Sequence, residues 1–505
     1  MVISVTDMRV LEVNTVALGI PLAMLMEAAG KSVADVVINE VEPEETGKVV
    51  ILAGKGGNGG DALVAARYLA SRGYRVEVIL AYSSKEIEHP DTLYNYRIAS
   101  RLESIKIHKS SSLDILQNAE VIIDGLLGTG VRGELRDPIR SIVEASNKAS
   151  AKLKIAIDTP TGLNPDTGEV HGVAFKADKT VTFHDVKPGL LKSPEYTGDL
   201  VVANIGIPQE AQIYVGPGDL MYRVPTRPSD IYKGKAGRIA VIGGSQRFTG
   251  APALSGLAAL ATGSDLAFII TPDAVRGIIA SYSPELITLP YRGSYLRVED
   301  VDSVLDYIER IRPHVVVLGP GLGDRPETIE AVKKLIFELV EKKIGLVIDA
   351  DALKAVQNYS GGFGGYAVLT PHRGEFRRLY GGELTGKLEV DGEKVAKLAS
   401  DLDATVLLKA PIDIISDGNN IKYNKTGNPY MSTGGTGDVL SGIVASLLAW
   451  TKNPYVAAYV AAYVNGVAGD YLLKENKTVS PTKMIEVIPA IIRDPLSIHR
   501  DLYLG

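Results

Sequence analysis

Short apolar runs that each deliver the chain to glycine or aspartate recur from one end of this sequence to the other. Lys48-Val49-Val50-Ile51-Leu52-Ala53 runs into Gly54, Val121-Ile122-Ile123 into Asp124, and Lys154-Ile155-Ala156-Ile157 into Asp158. Later, Arg238 to Ile242 ends at Gly243-Gly244, and His314 to Leu318 at Gly319-Pro320-Gly321-Leu322-Gly323. Gly345 to Ile348 ends at Asp349, Ala367 to Leu369 at Thr370-Pro371-His372, and Ala404 to Leu408 at Lys409. A run this short and this apolar suits a strand buried on both faces, as in a parallel sheet covered by helices. Strands alternating with helices predict an α/β fold, whose ligands sit outside the carboxyl ends of the strands.

At 505 residues the chain is too long for one ordinary core. The pattern breaks between Ile207 and Tyr232, where Pro208, Pro217, Pro225 and Pro228 fall without helical period, so two domains are expected, 1–214 and 215–505. The halves do not repeat one another. Hydrophobic residues at 45% and charged residues at 23% describe a folded chain, and a net charge of -6 offers no basic footprint for nucleic acid or an anionic membrane. Zero cysteines exclude disulfides, thiolate metal sites and cysteine nucleophiles, and fit a reducing cytoplasm. Met1 to Met8 lacks the pattern of a signal peptide. The apolar segment Val16 to Ala29, interrupted by Gly19, Pro21 and Glu27, is too short to span a bilayer and predicts an early core helix. The expected partners are small molecules, with neither nucleic acid nor membrane, and a homo-oligomer is expected.

In the first half, Gly30-Lys31-Ser32 imitates the end of a Walker A loop, but Leu25 stands where its first glycine is required. Gly54, Gly56 and Gly59 satisfy GxGxxG after a strand and before a helix, a Rossmann-like opening. The next strand, Tyr74 to Leu80, lacks an acid at its carboxyl end to hold a ribose, which weakens a standard dinucleotide site. Asn58, Asp124, Asp158 and Thr161 all fall at strand ends and are expected to converge. Two carboxylates, an amide and a backbone carbonyl form an all-oxygen set suited to a hard cation. Singly, each such aspartate is as readily a turn cap.

In the second half, Tyr430-Met431-Ser432-Thr433-Gly434-Gly435-Thr436-Gly437-Asp438 leads into the apolar helical run from Val439. Glycines followed by a helix N-terminus make an anion site. Asp438 is there either as a helix N-cap or as a general base taking a proton from a hydroxyl that attacks phosphorus. His372 before a helix and beside Glu375 suits a ligand contact or a structural histidine, and Lys409 suits phosphate neutralisation or solvated surface.

The runs GGNGGDALVAARYLA, DGLLGTGVRGELRDP and AIDTPTGLNPDTG resemble the NAD(P)H-hydrate epimerase family over roughly residues 1 to 214. The resemblance implies a Rossmann-like, three-layer domain with potassium held by Asn58, Asp124 and Thr161. Substrate contacts would fall at Asn58, Gly59, Gly60, Asp61, Ala62, Gly128, Thr129, Gly130, Val131, Arg132, Gly133, Glu134 and Asp158. Asp158 is the candidate acid/base. Family members commonly have Asn where Gly57 stands and Ser where Thr161 stands; Thr161 still offers its carbonyl. Segments GPGLG, DADAL, LTPHRGEF and NPYMSTGGTGD, in that order, resemble the ADP- or ATP-dependent NAD(P)H-hydrate dehydratases of the ribokinase-like superfamily over nearly all of 220–500. That implies substrate contacts at Ala253, Gly323, His372 and Asp438. Nucleotide would lie against Lys409, Ala410, Pro411, Ile412 and Asp413 and against Gly434, Gly435, Thr436 and Gly437. Ala410 replaces a usual glycine, and its methyl narrows the approach of a phosphate.

Together these resemblances imply repair of nicotinamide cofactors damaged by water addition. ADP or ATP would supply a phosphoryl group, with Mg²⁺ bridging its phosphates, to turn the ring hydroxyl into a leaving group. The first half would interconvert the two epimers of NADHX or NADPHX. Two other readings compete: a ribokinase-like kinase for vitamin precursors or sugars with an N-terminal ligand-binding module, and a non-catalytic interaction module in the first half. A stable phosphorylated product would mark the kinase. The acidic net charge and the strand-end aspartates speak against the interaction module.

Overall fold

The computed structural model describes residues 2–505 except 44–46, 131, 132, 229, 358 and 360. The chain divides into two compact units, Met1–Pro208 and Gln209–Gly505.

The first unit is built on seven strands: β1 (Lys48–Ala53), β2 (Arg75–Leu80), β3 (Ile105–Lys109), β4 (Ala119–Gly125), β5 (Leu153–Ile157), β6 (Lys179–Phe183) and β7 (Asp199–Ala203). They lie in the order β3-β2-β1-β4-β5-β6-β7, with every pairing parallel. Val50, Leu52 and Ile122 pack with Ile139, Ile142 and Val143 on one face. Their neighbours Val49, Ile51 and Ile123 are equally buried, so by strand alternation the other face is covered as well. The order reverses direction between β1 and β4, which opens a crevice at their carboxyl ends. The segment Val16 to Ala29 is not one helix: helices Val5–Ala17 and Leu22–Glu40 are separated by Leu18 to Pro21, with Gly19 at φ 93° and Pro21 as the N-cap. Proline's missing N–H and glycine's left-handed backbone break the run that hydropathy joined.

The second unit carries nine strands: β8 (Arg238–Ile242), β9 (Leu266–Pro272), β10 (Leu286–Tyr291), β11 (Val315–Leu318), β12 (Gly345–Ile348), β13 (Ala367–Leu369), β14 (Thr405–Leu408), β15 (Asp413–Ser416) and β16 (Ile421–Asn424). Their order is β10-β9-β8-β11-β12-β13-β14-β15-β16, parallel except that β15 is antiparallel to β14 and to β16. Ile239, Val241, Val315 and Val317 face helices Gly250–Thr262, Thr436–Thr451 and Pro454–Lys474, whereas Ala240, Ile242, Val316 and Leu318 face helices Val301–Ile311 and Pro326–Glu341. Helix Pro454–Lys474 is long and apolar enough to cross a membrane, yet 78% of that window is buried, and Tyr459 and Tyr463 sit in the core of this unit. Here the order reverses between β8 and β11.

Candidate active sites

Packing of the first glycine loop decides where the first site lies. A Cβ on Gly54 would stand 1.8 Å from the Leu126 carbonyl, and one on Gly59 2.0 Å from the Gly54 carbonyl, so these two glycines seat helix Gly57–Ser71 tightly on the strand ends. Gly56 and Gly57 meet nothing within 4 Å and line a cavity of about 1060 Å³. Asn58, Asp61, Gly128, Thr129, Gly130, Gly133, Glu134 and Asp158 line the same cavity; Val131 and Arg132 lie outside the described residues. Gly59, Gly60 and Ala62 are buried in the helix that carries Asn58.

Asn58 Nδ2 donates to the Ile157 carbonyl at 2.8 Å and the Leu127 carbonyl at 3.2 Å, tying the loop after β1 to the ends of β5 and β4. Asp124, fully buried, accepts from Thr161 N at 2.8 Å, Thr161 Oγ1 at 2.8 Å and Leu126 N at 3.2 Å. Thr161 Oγ1 also reaches the Leu127 carbonyl at 3.3 Å, and the Thr161 carbonyl accepts from Phe175 N at 2.8 Å. Burial pushes the Asp124 carboxyl up to about 6, against the three hydrogen bonds that favour its ionised form. Among the described residues no cationic side chain pairs with it. An unneutralised buried carboxylate, beside an amide whose nitrogen is already spent on carbonyls, is an oxygen donor set that suits a monovalent cation.

Asp158 takes φ 60°, a left-handed conformation that is costly away from glycine, and is buried. Its Oδ1 accepts from the Nζ of Lys187, from Phe183 N at 3.2 Å and from Thr182 Oγ1 at 3.3 Å. Lys187 is fully buried and also donates to Thr182 Oγ1 and the Phe183 carbonyl, each at 3.1 Å. Glu12, on helix Val5–Ala17, lines the same cavity, as does Asp61. Burial pushes Glu12 up to about 7, with Asp158 adding and Lys187 and Arg9 opposing. Burial, then the charges of Asp158 and Glu12, hold Asp61 well above the carboxylate range. Lys187 carries no local signal, and Glu12 only its place in the opening Met8-Arg9-Val10-Leu11-Glu12, which shares in the resemblance to the epimerase family without giving Glu12 a role; the fold brings residues 12, 61, 158 and 187 together.

The second site forms where helices Gly250–Thr262 and Thr436–Thr451 cross. A Cβ on Gly442 would meet the Ser255 carbonyl at 2.1 Å, and Ser255 Oγ lies 2.9 Å from both the Asp438 carbonyl and Ser441 Oγ. Gly435, at φ 100°, is the N-cap of the second helix, so Asp438 stands at its third position. The N-cap alternative for Asp438 is therefore not the one realised. Its carboxylate makes no hydrogen bond among the described residues. Burial pushes it up to about 7, with Asp349 adding, Lys409 opposing and Asp351 adding. Lys409 Nζ donates to Asp349 Oδ1 at 2.9 Å. Burial works to lower the Lys409 ammonium, but Asp349, by charge and hydrogen bond, with Glu375 and Asp438, holds it above the ordinary lysine range. A Cβ on Gly437 would lie 3.4 Å from Lys409 Nζ, which places the lysine against the glycine-led helix start, while Gly434 meets nothing within 4 Å.

His372 is the N-cap of helix Arg373–Tyr380: its Nδ1 accepts from Gly374 N at 3.0 Å and Glu375 N at 3.3 Å, and Glu375 Oε2 in turn accepts from His372 N at 2.8 Å. That capping box assigns the proton to Nε2 and leaves more than half of the side chain exposed, at 57%. Gly323 N donates to Asp351 Oδ2 at 2.8 Å, and Ala253 is buried near the start of helix Gly250–Thr262. Asp413 Oδ1 accepts from Ala410 N at 3.0 Å and Oδ2 from Asn424 Nδ2 at 3.0 Å, so its carboxylate shapes the turn through Pro411 and Ile412. Burial raises it to about 6. Sequence reasoning passed over Asp349 as a site residue; its local signals were its place directly after a buried strand and the DADAL segment that it opens.

With this geometry in place, the relatives are informative. The family description NAD(P)H-hydrate dehydratase matches residues 239–490, and YjeF-related protein N-terminus matches 22–189. The bifunctional NAD(P)H-hydrate repair enzyme Nnr of Hyperthermus butylicus is 42% identical over 503 residues, covering 98% of this chain and 93% of that protein. Its counterpart in Pyrobaculum aerophilum is 43% identical over 499 residues, covering 96% and 97%. Among solved structures, a ribokinase-like superfamily protein of Enterococcus faecalis V583 is 29% identical with a TM-score of 0.50, covering 56% of this chain and 95% of that one. Full-length identity at this level, with both halves matched in order, makes the chain a member of the Nnr family of bifunctional NAD(P)H-hydrate repair enzymes.

Proposed function

We propose that the chain restores hydrated nicotinamide cofactors in two steps, epimerising NAD(P)HX in residues 1–214 and dehydrating it in residues 215–505 with ADP or ATP as phosphoryl donor. The observation that carries the second step is the free Asp438 carboxylate in the first turn of a glycine-led helix, raised to about 7 beside Lys409. Asp438 takes the proton of the ring hydroxyl as that oxygen attacks the terminal phosphorus. The Gly434 to Gly437 amides and the Lys409 ammonium hold charge on the moving group. Phosphate then leaves where hydroxide would not, pushed out by the electron pair of the ring nitrogen, and the adjacent ring carbon gives up a proton to the departing phosphate, which restores the ring double bond of NAD(P)H and the neutral nitrogen. His372, Ala253 and Gly323 are assigned to the substrate, and the turn from Lys409 to Asp413 to the nucleotide.

No group of three or more acidic or histidine side chains among the described residues builds a metal centre, so Mg²⁺ is expected to arrive on the nucleotide. When bound, it neutralises charge between the phosphates. In the first half, Asn58, Asp124 and Thr161 would hold K⁺, which would neutralise the buried Asp124. Asp158 is assigned to acid–base work at the hydroxyl-bearing carbon, with Asn58 to Ala62 and Gly128 to Glu134 around the substrate. The lack of cysteine supports a cytoplasmic location, and a homo-oligomer is expected, its mass to be read by light scattering.

The test is to supply hydrated NADH with ADP or ATP and follow NADH absorbance together with inorganic phosphate. One phosphate released per NADH formed is the expected result. A stable phosphorylated product without NADH would replace this reading with that of a small-molecule kinase.

A further inference from the structure

Glu12, Asp61 and Asp158 are among the charged side chains that line the cavity of the first unit, with Lys187 held against Asp158, and their surroundings are unequal. Asp158 has its Oδ1 occupied by Lys187, Phe183 N and Thr182 Oγ1. Glu12 lies one helical turn beyond Met8, lines the same cavity and makes no hydrogen bond or ion pair among the described residues. Asp61 is the more deeply placed of the other two acids, at 8% exposure, whereas Glu12 is only half-buried. We propose that Glu12 is the second proton-transfer residue of the epimerase half, working with Asp158 on the ligand in the shared cavity, an inference that rests on the epimerase reading above.

Two carboxyl groups in unlike environments divide acid and base work between them. Asp158, the anionic partner of Lys187, takes the proton of the ring hydroxyl as the bond between its carbon and the ring nitrogen breaks. The carbon becomes a planar aldehyde, the bonding pair passes to nitrogen, and Glu12 supplies the proton there. After the aldehyde turns, the nitrogen closes on its opposite face, returning its proton to Glu12 while Asp158 returns the other to oxygen. Nothing is consumed over the cycle, in keeping with a step that needs no phosphoryl donor. Lys187 is a positioning residue: it fixes the Asp158 carboxylate and touches no reacting atom. The groups facing Glu12 are Asp158 and Lys187 from the strand-end side, Asp61 from helix Gly57–Ser71 and Arg9 from its own helix. Burial outweighs the two cations and raises Glu12 to about 7, where a carboxyl both gives and regains a proton at neutrality.

The experiment is epimerisation of a purified epimer without nucleotide, followed by chromatography across pH, with the uncatalysed rate subtracted. In the unmutated chain the rate should fall as pH rises through about 7, because Glu12 must carry its proton to act as the acid. Glu12→Gln should lose about 10²–10⁴ in rate and lose that alkaline limb. Asp61→Asn should keep the limb, and Glu12→Asp, which retains the acid one methylene further back, should keep it at reduced rate. Circular dichroism checks that each variant is folded. A Glu12→Gln chain that epimerises at the unmutated rate overturns the inference alone, as does a limb that disappears with Asp61→Asn instead. If the unmutated chain does not epimerise, the epimerase reading falls and this inference falls with it.

Discussion

Lys409 Nζ donates a 2.9 Å hydrogen bond to Asp349 Oδ1, so the cation beside the glycine-led helix is partnered before any phosphate arrives. Asp349 sits at the end of β12 and Lys409 at the end of β14, with β13 between them. The pair sets the charge that Asp438 experiences. Because the Asp349 charge raises Asp438, Asp349→Asn should lower the pKa of Asp438 and move the acid limb of the dehydration rate to lower pH. Rates measured between pH 5 and 9 in both proteins check this, and an unmoved limb would mean that Asp349 does not govern the base.

Asp438→Asn should keep the fold and nucleotide binding, since the amide matches the carboxylate in shape, while dehydration falls by about 10²–10⁴. As a base, Asp438 works ionised, so the unmutated rate should rise as pH climbs through about 7 and level off above it. NADH absorbance and nucleotide binding by fluorescence together read the outcome. Near-normal turnover in a folded variant would reduce Asp438 to a structural residue.

Asp124→Ala should weaken epimerisation and leave dehydration of the correct epimer intact, because the two sites lie in separate units. It also strands the Thr161 and Leu126 donors, each unpaired buried group costing about 1–3 kcal/mol. Denaturant melts of Asp124→Ala and Asp124→Asn, with epimerisation measured with and without added potassium, separate cation binding from stability. An epimerisation rate that ignores both substitution and potassium would remove the cation from the site.

Gly442→Ala should destabilise the second unit by about 1–3 kcal/mol, although alanine is the better helix former. The added methyl meets the Ser255 carbonyl at 2.1 Å, where backbone must move. Because Ser255 Oγ holds the Asp438 carbonyl at 2.9 Å, that movement should also slow dehydration. Denaturation midpoints and turnover should fall together; loss of neither would mean that the helix crossing is looser than this geometry.

Local sequence was enough for the central strands, because a strand covered on both faces must be apolar at every position, and β1, β12 and β13 fall on the runs read from the chain. Other strands escaped that rule. Ile105-Lys106-Ile107-His108-Lys109 alternates because β3 is an edge, and Lys179-Thr180-Val181-Thr182-Phe183 hides its burial behind threonines. Residues 16–29 misled for the opposite reason: the segment is apolar enough to suggest one helix, but Gly19 and Pro21, visible in the run, end one helix and start another.

The sequence by itself determined the alternation of strands and helices, the glycine loops at strand ends, and the order of segments that marks the family. These are local properties, set by side-chain periodicity and by where a backbone turns. Only the tertiary structure decided that Asp438 is the third residue of its helix and not the cap, that Asp349 partners Lys409, and that Glu12 and Lys187 join Asp158. Whether a carboxyl is buried, and which charges stand beside it, depends on contacts between residues far apart in the chain. The proton affinities of Glu12 and Asp438 follow from those contacts, and no short stretch of sequence contains them.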